Sequence, residues 1–208
     1  MIPKTHSFVL DLIFQYIPRS RWKTYKVRSL YYDTLDLQSY HQKKSGDYYR
    51  KKFRLRYYDD FKTNLFVEVK EKEGQVVRKT REKIGNHLSF NFLTSFSPLS
   101  KRITEQDIQS GFLPTLWTHY ERQAIEMHSN SYFRITVDRN IGLSQFNNTM
   151  LKSETGPVFQ GFVVEVKHSP FLKNGWLKAV SKHLKSYRSN FSKYEWALEN
   201  GKKGIKWI

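Results

Sequence analysis

The chain has 208 residues, 38% hydrophobic and 26% charged, with 36 Lys and Arg against 19 Asp and Glu and a formal net charge of +17. That length and apolar content suit one sizeable domain with its own core, and the charge points to a polyanionic partner: nucleic acid, an anionic membrane surface or a phosphate-rich small molecule. With no cysteine, disulfides and thiolate metal sites are excluded. No apolar run approaches the ~18 residues a spanning helix needs, and Phe8 to Ile17 is too short and too interrupted for a signal peptide. The expectation is a soluble, cytoplasmic single domain over residues 1–208, without a transmembrane segment.

In chain order, Val9, Leu10, Ile13, Phe14 and Ile17 recur at helical spacing and predict a helix over Phe8 to Tyr16, capped by Ser7 and ended by Pro18. Tyr25 to Tyr32 alternates as a strand, with Tyr25, Val27, Ser29 and Tyr31 on one face. Asp33-Thr34 then caps a short helix from Leu35 to about Lys43, closed near Gly46. Tyr49 to Tyr58 and Leu65 to Glu71 alternate again, and Glu73-Gly74-Gln75 is a hairpin turn into a strand over Val76 to Ile84. The stretch 85–111 reads as loop and helix. Further strands are predicted over Leu116 to Met127, Tyr132 to Asp138 (after a turn at 128–131) and Phe159 to Lys167. Pro170 to Tyr187 reads as an amphipathic helix with its entry loop, built on Trp176, Leu177, Val180 and Leu184. Ser192 caps a last helix through Leu198.

The strands share an unusual pattern. In Lys52-Phe53-Arg54-Leu55-Arg56-Tyr57-Tyr58, one face is apolar and the other is a row of cations. Lys70, Lys79 and Arg81, Arg122, Arg134 and Lys167 repeat this on other strands, always opposite the aliphatic face. For any single strand, a solvated face of an open antiparallel sheet is the ordinary reading. Three features shift it for the set. Arg dominates mid-strand positions, and Arg suits bidentate phosphate contacts. Glu68, Asp138 and Glu165 share the cationic faces, where carboxylates suit a hard cation such as Mg²⁺ or Mn²⁺, although Asp138 could instead pair with a neighbouring Arg. A sheet of seven or eight strands also tends to close. The expected fold is therefore α+β: an antiparallel eight-stranded β-barrel tunnel, seven-stranded if the first strand is lacking, with charged residues inside. The helices around Phe8 to Tyr16 and Trp176 to Leu184 would pack outside. Such a lumen suits a metal-bound triphosphate, a nucleotide's phosphate tail or polyphosphate, and is too narrow for a duplex.

The run Tyr25-Lys26-Val27-Arg28-Ser29-Leu30-Tyr31-Tyr32-Asp33-Thr34, then Lys52 to Tyr58, Glu68-Val69-Lys70, Arg78-Lys79-Thr80-Arg81, Tyr120-Glu121-Arg122, Arg134 to Asp138, Glu165-Val166-Lys167 and Ser192-Lys193-Tyr194, in this order, resembles the VTC domain. This is the catalytic domain type of the vacuolar transporter chaperone polyphosphate polymerase, in the CYTH-like triphosphate tunnel superfamily. The resemblance implies an eight-stranded tunnel, a Mn²⁺ or Mg²⁺ cofactor, and ATP, triphosphate or polyphosphate as ligand. It also implies roles: Arg54, Arg56, Lys70, Lys79, Arg81, Arg122, Arg134 and Lys167 in binding phosphate, Glu165 and Glu68 in binding metal, and Lys193 with Glu165 in catalysis. The family's opening strand carries a Glu-x-Lys-like pattern that Met1 to Lys4 does not match, so one acidic and one basic lining residue are expected to be lacking.

The leading functional expectation is a polyphosphate polymerase-like phosphotransferase using ATP and a divalent metal. An inorganic triphosphatase or polyphosphatase on the same fold is the alternative, followed by a non-catalytic polyphosphate- or nucleotide-binding module. A nucleic-acid-binding basic domain ranks last, because the strand alternation turns many cations toward the lumen.

Overall fold

The alternation that begins at Tyr49 is realised as a run of paired strands. The computed structural model describes residues 2–3, 8–60, 64–84, 111–127, 132–146, 156–169 and 175–201. Its strands are β1 (Ile2–Pro3), β2 (Lys23–Asp33), β3 (Tyr49–Tyr58), β4 (Leu65–Glu73), β5 (Val76–Lys83), β6 (Leu113–Met127), β7 (Phe133–Gln145) and β8 (Gly161–His168). The helices are α1 (Phe8–Tyr16), α2 (Gln38–Ser45), α3 (Gly175–Leu184) and α4 (Lys193–Gly201). The predicted cap at Ser7, the stretch 85–110 and the turn at 128–131 lie outside the described residues, as does the side chain of Leu177.

The strands hydrogen-bond in the order β1-β8-β7-β6-β2-β3-β4-β5. The ladders β1–β8, β7–β8, β2–β3, β3–β4 and β4–β5 are all antiparallel. The α+β class and antiparallel sheet are as expected; the closed barrel is not. Among the described residues β1 and β5 end the order, and no ladder joins them. The reason is local. β1 contributes two residues, and Pro3 has no N–H to donate. β5 is exposed along almost its whole length and carries Arg78, Lys79, Arg81 and Lys83, which blunt an edge against further pairing.

The chain divides into two compact units. The first comprises Met1–Lys26, Tyr120–Ile141 and Val158–Ser192. There the apolar face of β6, β7 and β8, with Ile125, Phe133, Ile135, Val137 and Phe162, is covered by Leu10, Ile13 and Ile17 around α1 and by Val180 of α3. This is the helical cover the sequence predicts. The Trp22 indole donates to the Ile17 carbonyl at 3.3 Å, and its ring meets Phe14 edge-on at 5.4 Å, which closes the end of α1.

The second unit comprises Val27–His119, Gly142–Pro157 and Lys193–Ile208. One face of β2, β3, β4 and β6 buries Leu30, Tyr32, Phe53, Leu55, Tyr57, Val67, Val69 and Trp117. On the opposite side Tyr194, Ala197 and Leu198 of α4 pack on Tyr31, Leu116 and Leu143. Close backbone approach at two places requires glycine. Gly74 turns the β4–β5 hairpin at φ +54°, where an added Cβ would meet the Tyr48 ring at 2.8 Å; at Gly142 it would meet the His119 ring at 2.3 Å.

Helix α2 begins at Gln38 rather than at the predicted Leu35. Residues 34–37 instead form a turn, with Leu37 N–H donating to the Thr34 carbonyl at 2.9 Å and Leu37 itself left-handed at φ 57°. The capping groups are as foreseen but act from further away. The Thr34 hydroxyl accepts from Gln38 N–H at 2.9 Å, and the Asp33 carboxylate accepts from Ser39 and Tyr40 N–H at 2.8 and 3.2 Å. Gly46 ends the helix at φ 77°, as expected.

Candidate functional site

In the second unit the register of four strands stacks the charged residues into rows. Tyr31, Arg54, Glu68 and Arg81 stand directly opposite one another across β2, β3, β4 and β5. The next row carries Lys52, Lys70 and Lys79. The third pairs Ser29 with Arg56, followed by Phe66 and Lys83. Among the residues paired in these ladders, Glu68 is the single carboxylate on the three rows.

Glu68 is held by arginines. Arg54 Nε donates to its Oε2 at 2.7 Å and Nη2 approaches the same oxygen at 2.5 Å. Arg56 Nη1 lies 3.5 Å from Oε2, and Arg81 Nε lies 3.7 Å from Oε1. Burial pushes the carboxyl upward, but Arg54, Arg56 and Arg81 together hold it below the usual carboxylate range. The arginines are themselves braced: Arg54 Nη1 donates to the Tyr31 hydroxyl at 3.2 Å, and Arg56 Nε donates to the Ser29 hydroxyl at 3.0 Å. Arg81 lies 3.7 Å above the Phe66 ring. The result is three guanidiniums fixed around one carboxylate, of which Arg54 and Arg81 keep exposed surface while Arg56 is buried.

Lys193 starts α4 beside this face. Its neighbour Tyr194 is anchored from several sides. The phenol donates to Asp33 Oδ2 at 2.6 Å, its ring stacks on Tyr31 at 4.8 Å, and the Lys52 ammonium lies 5.6 Å from its centroid. Lys193 is close enough to help pull the Tyr31 phenol down, with Arg54 and Arg56, against the upward push of burial. The Ser-Lys-Tyr motif thus reads as one catalytic candidate and one anchor.

In the first unit Arg122, Arg134, Glu165 and Lys167 share the polar face of β6, β7 and β8. Arg122 grips Asp138 with two bonds, Nε to Oδ1 at 2.6 Å and Nη2 to Oδ2 at 2.8 Å. That hydrogen-bonded pairing outweighs burial and raises the guanidinium's pKa, so Arg122 stays charged. Asp138 therefore takes the ion-pair role. Arg134 Nη2 donates to the Tyr25 hydroxyl at 3.5 Å and stands opposite Lys167. Glu165 stands opposite Thr136, and its Oε1 lies 3.1 Å from Lys167 Nζ, both side chains about half exposed.

Among the described residues a divalent cation finds no cage made by protein alone: no three of Asp, Glu and His cluster as ligands. Glu68 is enclosed by three guanidiniums, which a cation would have to displace, so its donor set does not fit a metal. Glu165 offers one carboxylate, and Mg²⁺ is commonly held by one or two carboxylates together with substrate phosphates.

The sequence reading of the site passed over Lys52. The signal was present, since Lys52 alternates with Arg54 and Arg56; its place opposite Lys70 depends on register. Tyr31, Tyr32 and Tyr57 are buried, whereas Tyr58 is only partly buried.

The fold and these faces define an α+β antiparallel-sheet protein with arginine- and lysine-lined strand faces suited to phosphate. The chain belongs to the VTC domain family, which matches it over residues 4–200. The fold is consistent with the CYTH-like superfamily, and the family membership supports a polyphosphate-related role. Among curated proteins, none matches the chain.

Proposed function

We propose that the protein is a polyphosphate polymerase-like phosphotransferase that draws the γ-phosphate from ATP and extends polyphosphate. The supporting observation is the registered cationic face of the second unit, where Arg54, Arg56 and Arg81 converge on one carboxylate and Lys52, Lys70 and Lys79 form the adjacent row. Phosphoryl transfer asks for positioning and charge neutralisation more than for covalent chemistry from the protein. On this reading the guanidinium N–H groups hold non-bridging oxygens, Lys193 contacts the phosphoryl group being transferred, and Arg134 and Lys167 bind phosphate on the first unit. Mn²⁺ or Mg²⁺ is held jointly by Glu165 and the phosphate chain and supplies further charge neutralisation. A triphosphatase differs only in using water as the acceptor.

A binding-only module is the second reading. Its support is Asp138, whose two oxygens are both engaged by Arg122 and so are taken from any metal.

Calorimetric titration of tripolyphosphate with Mn²⁺ present tests the common ground. The expected outcome is one-to-one binding that survives excess DNA and weakens by about ten-fold or more in Arg54→Ala and in Arg56→Ala, the size of a lost charge-assisted contact. Unchanged affinity in both variants would remove this face from the site. Turnover separates enzyme from module. Glu165→Gln is expected to abolish Mn²⁺-dependent release or transfer of phosphate while sparing binding, and a fully active variant would rule out its role.

A further inference from the structure

The row Lys52–Lys70–Lys79 differs electrostatically from its surroundings. Neighbouring cations of the same unit have carboxylates: Lys51 has Glu71 at 3.4 Å, Arg78 has Glu73 at 3.7 Å, Lys44 has Glu199 at 2.5 Å, and three arginines share Glu68. Among the described residues the three lysines of the row have no carboxylate within ion-pair distance. They nevertheless stand directly opposite one another on β3, β4 and β5. Directly opposed residues on paired strands have Cβ atoms about 4.5–5.5 Å apart, and like charges there are destabilising.

Lys52 is the most constrained of the three. It is half-buried, and its ammonium is directed at the Tyr194 ring, which Asp33 and Tyr31 hold in place. A long flexible side chain normally carries such a charge out to water; Lys52 instead keeps its head beside the cationic face.

We propose that Lys52, with Lys70 and Lys79, forms a seat for one phosphoryl group of a polyphosphate chain, and that filling this seat draws a proton onto Lys52. This deepens the reading under Proposed function and rests on it. The groups facing Lys52 are Tyr31 from β2, Lys70 from β4, Lys43 from α2, and Tyr194 and Glu195 from α4. Burial lowers the Lys52 pKa first, and Lys43 and Lys70 add to the lowering, while Tyr31 and Glu195 oppose it. A phosphate placed among the three lysines reverses the sign of the local potential. The Lys52 pKa then rises on binding, so a proton is taken up between the free and bound values.

The test titrates long-chain polyphosphate into the full chain near pH 9, in two buffers of different ionisation enthalpy. Its interior phosphoryl groups are strong acids and do not titrate there, so uptake reports on the protein. Wild type is expected to bind with net proton uptake. Lys52→Met, which keeps the stem, should bind about ten-fold more weakly and lose most of the uptake. Lys52→Arg, permanently charged, should keep the affinity and still lose the uptake, a result that a purely structural lysine does not produce. Lys51→Met, on the opposite face of the same strand, should behave as wild type. Binding with equal affinity and equal uptake in wild type, Lys52→Met and Lys52→Arg overturns the seat and leaves the wider reading standing. No binding by wild type overturns both.

Discussion

Glu68 shows how a residue's role can reverse between pattern and place. On the strand it is an acid among cations, which suggests a metal ligand. In the fold Arg54, Arg56 and Arg81 surround it, and it spaces these guanidiniums across the cationic face. The consequence for pH follows from the lowered pKa. A carboxylate depressed on folding stabilises the native state above its unfolded pKa, about 4.3, and that contribution is lost as pH falls through the lower, folded value. Glu68→Gln should therefore be less stable than wild type near neutrality, with the gap in thermal midpoint closing below about pH 4. A gap of constant size down to full protonation would show that the arginines do not depend on the charge. Asp138 was more legible. Pairing with an Arg was one of its two readings in the sequence, and Arg122 meets it with two bonds.

At the scale of elements, helix positions were well marked where the apolar period is strong, and α1 occupies the predicted Phe8–Tyr16. Where a helix is polar, as α2 is, the start is decided by capping. Asp33 and Thr34 cap α2 across an intervening turn, so it begins three residues later than the sequence suggested. The same buried Asp33 accepts the Tyr194 hydroxyl and so ties β2, α2 and α4 together. Burial and the Asp33 carboxylate both push the Tyr194 phenol up, so it remains a donor at any ordinary pH. Tyr194→Phe removes the phenol's bonds to Asp33 and Thr115 and keeps the ring. It should cost about 1–3 kcal/mol, since a charge-assisted bond is lost and Asp33 keeps its other donors. Hydrogen exchange in the first turn of α4 should accelerate with it, loosening Lys193. Unaltered exchange there would mean that stacking on Tyr31 alone holds the helix.

For the molecule as a whole, a net charge of +17 attracts any polyanion, so binding by itself does not identify a ligand. Salt separates the contributions. Non-specific DNA binding through surface cations should fall by orders of magnitude between about 50 and about 200 mM salt, because it is counterion release. Tripolyphosphate held by arginines braced on Glu68, Tyr31 and Ser29 should lose much less, since partly buried contacts are screened less. Equal salt slopes for both ligands would make the cationic faces ordinary surface. The strand order also bears on this scale. Closure of the sheet into a barrel was expected from strand number, yet among the described residues β1 and β5 remain unjoined edges, because a two-residue strand containing proline cannot extend a ladder.

The sequence by itself determined the alternation of each strand, the apolar faces of α1 and α3, the cationic character of the opposite faces and, through motifs in order, the VTC family. These are readable because period and residue type are local properties. Only the tertiary structure decided which charges meet. Register put Glu68 between Arg54 and Arg81 and set Lys52, Lys70 and Lys79 in one row. Packing brought Tyr194 to Asp33 across 161 residues of chain. A one-residue change of register would turn each strand's cations to the other face, and nothing within a single strand encodes its partner's offset.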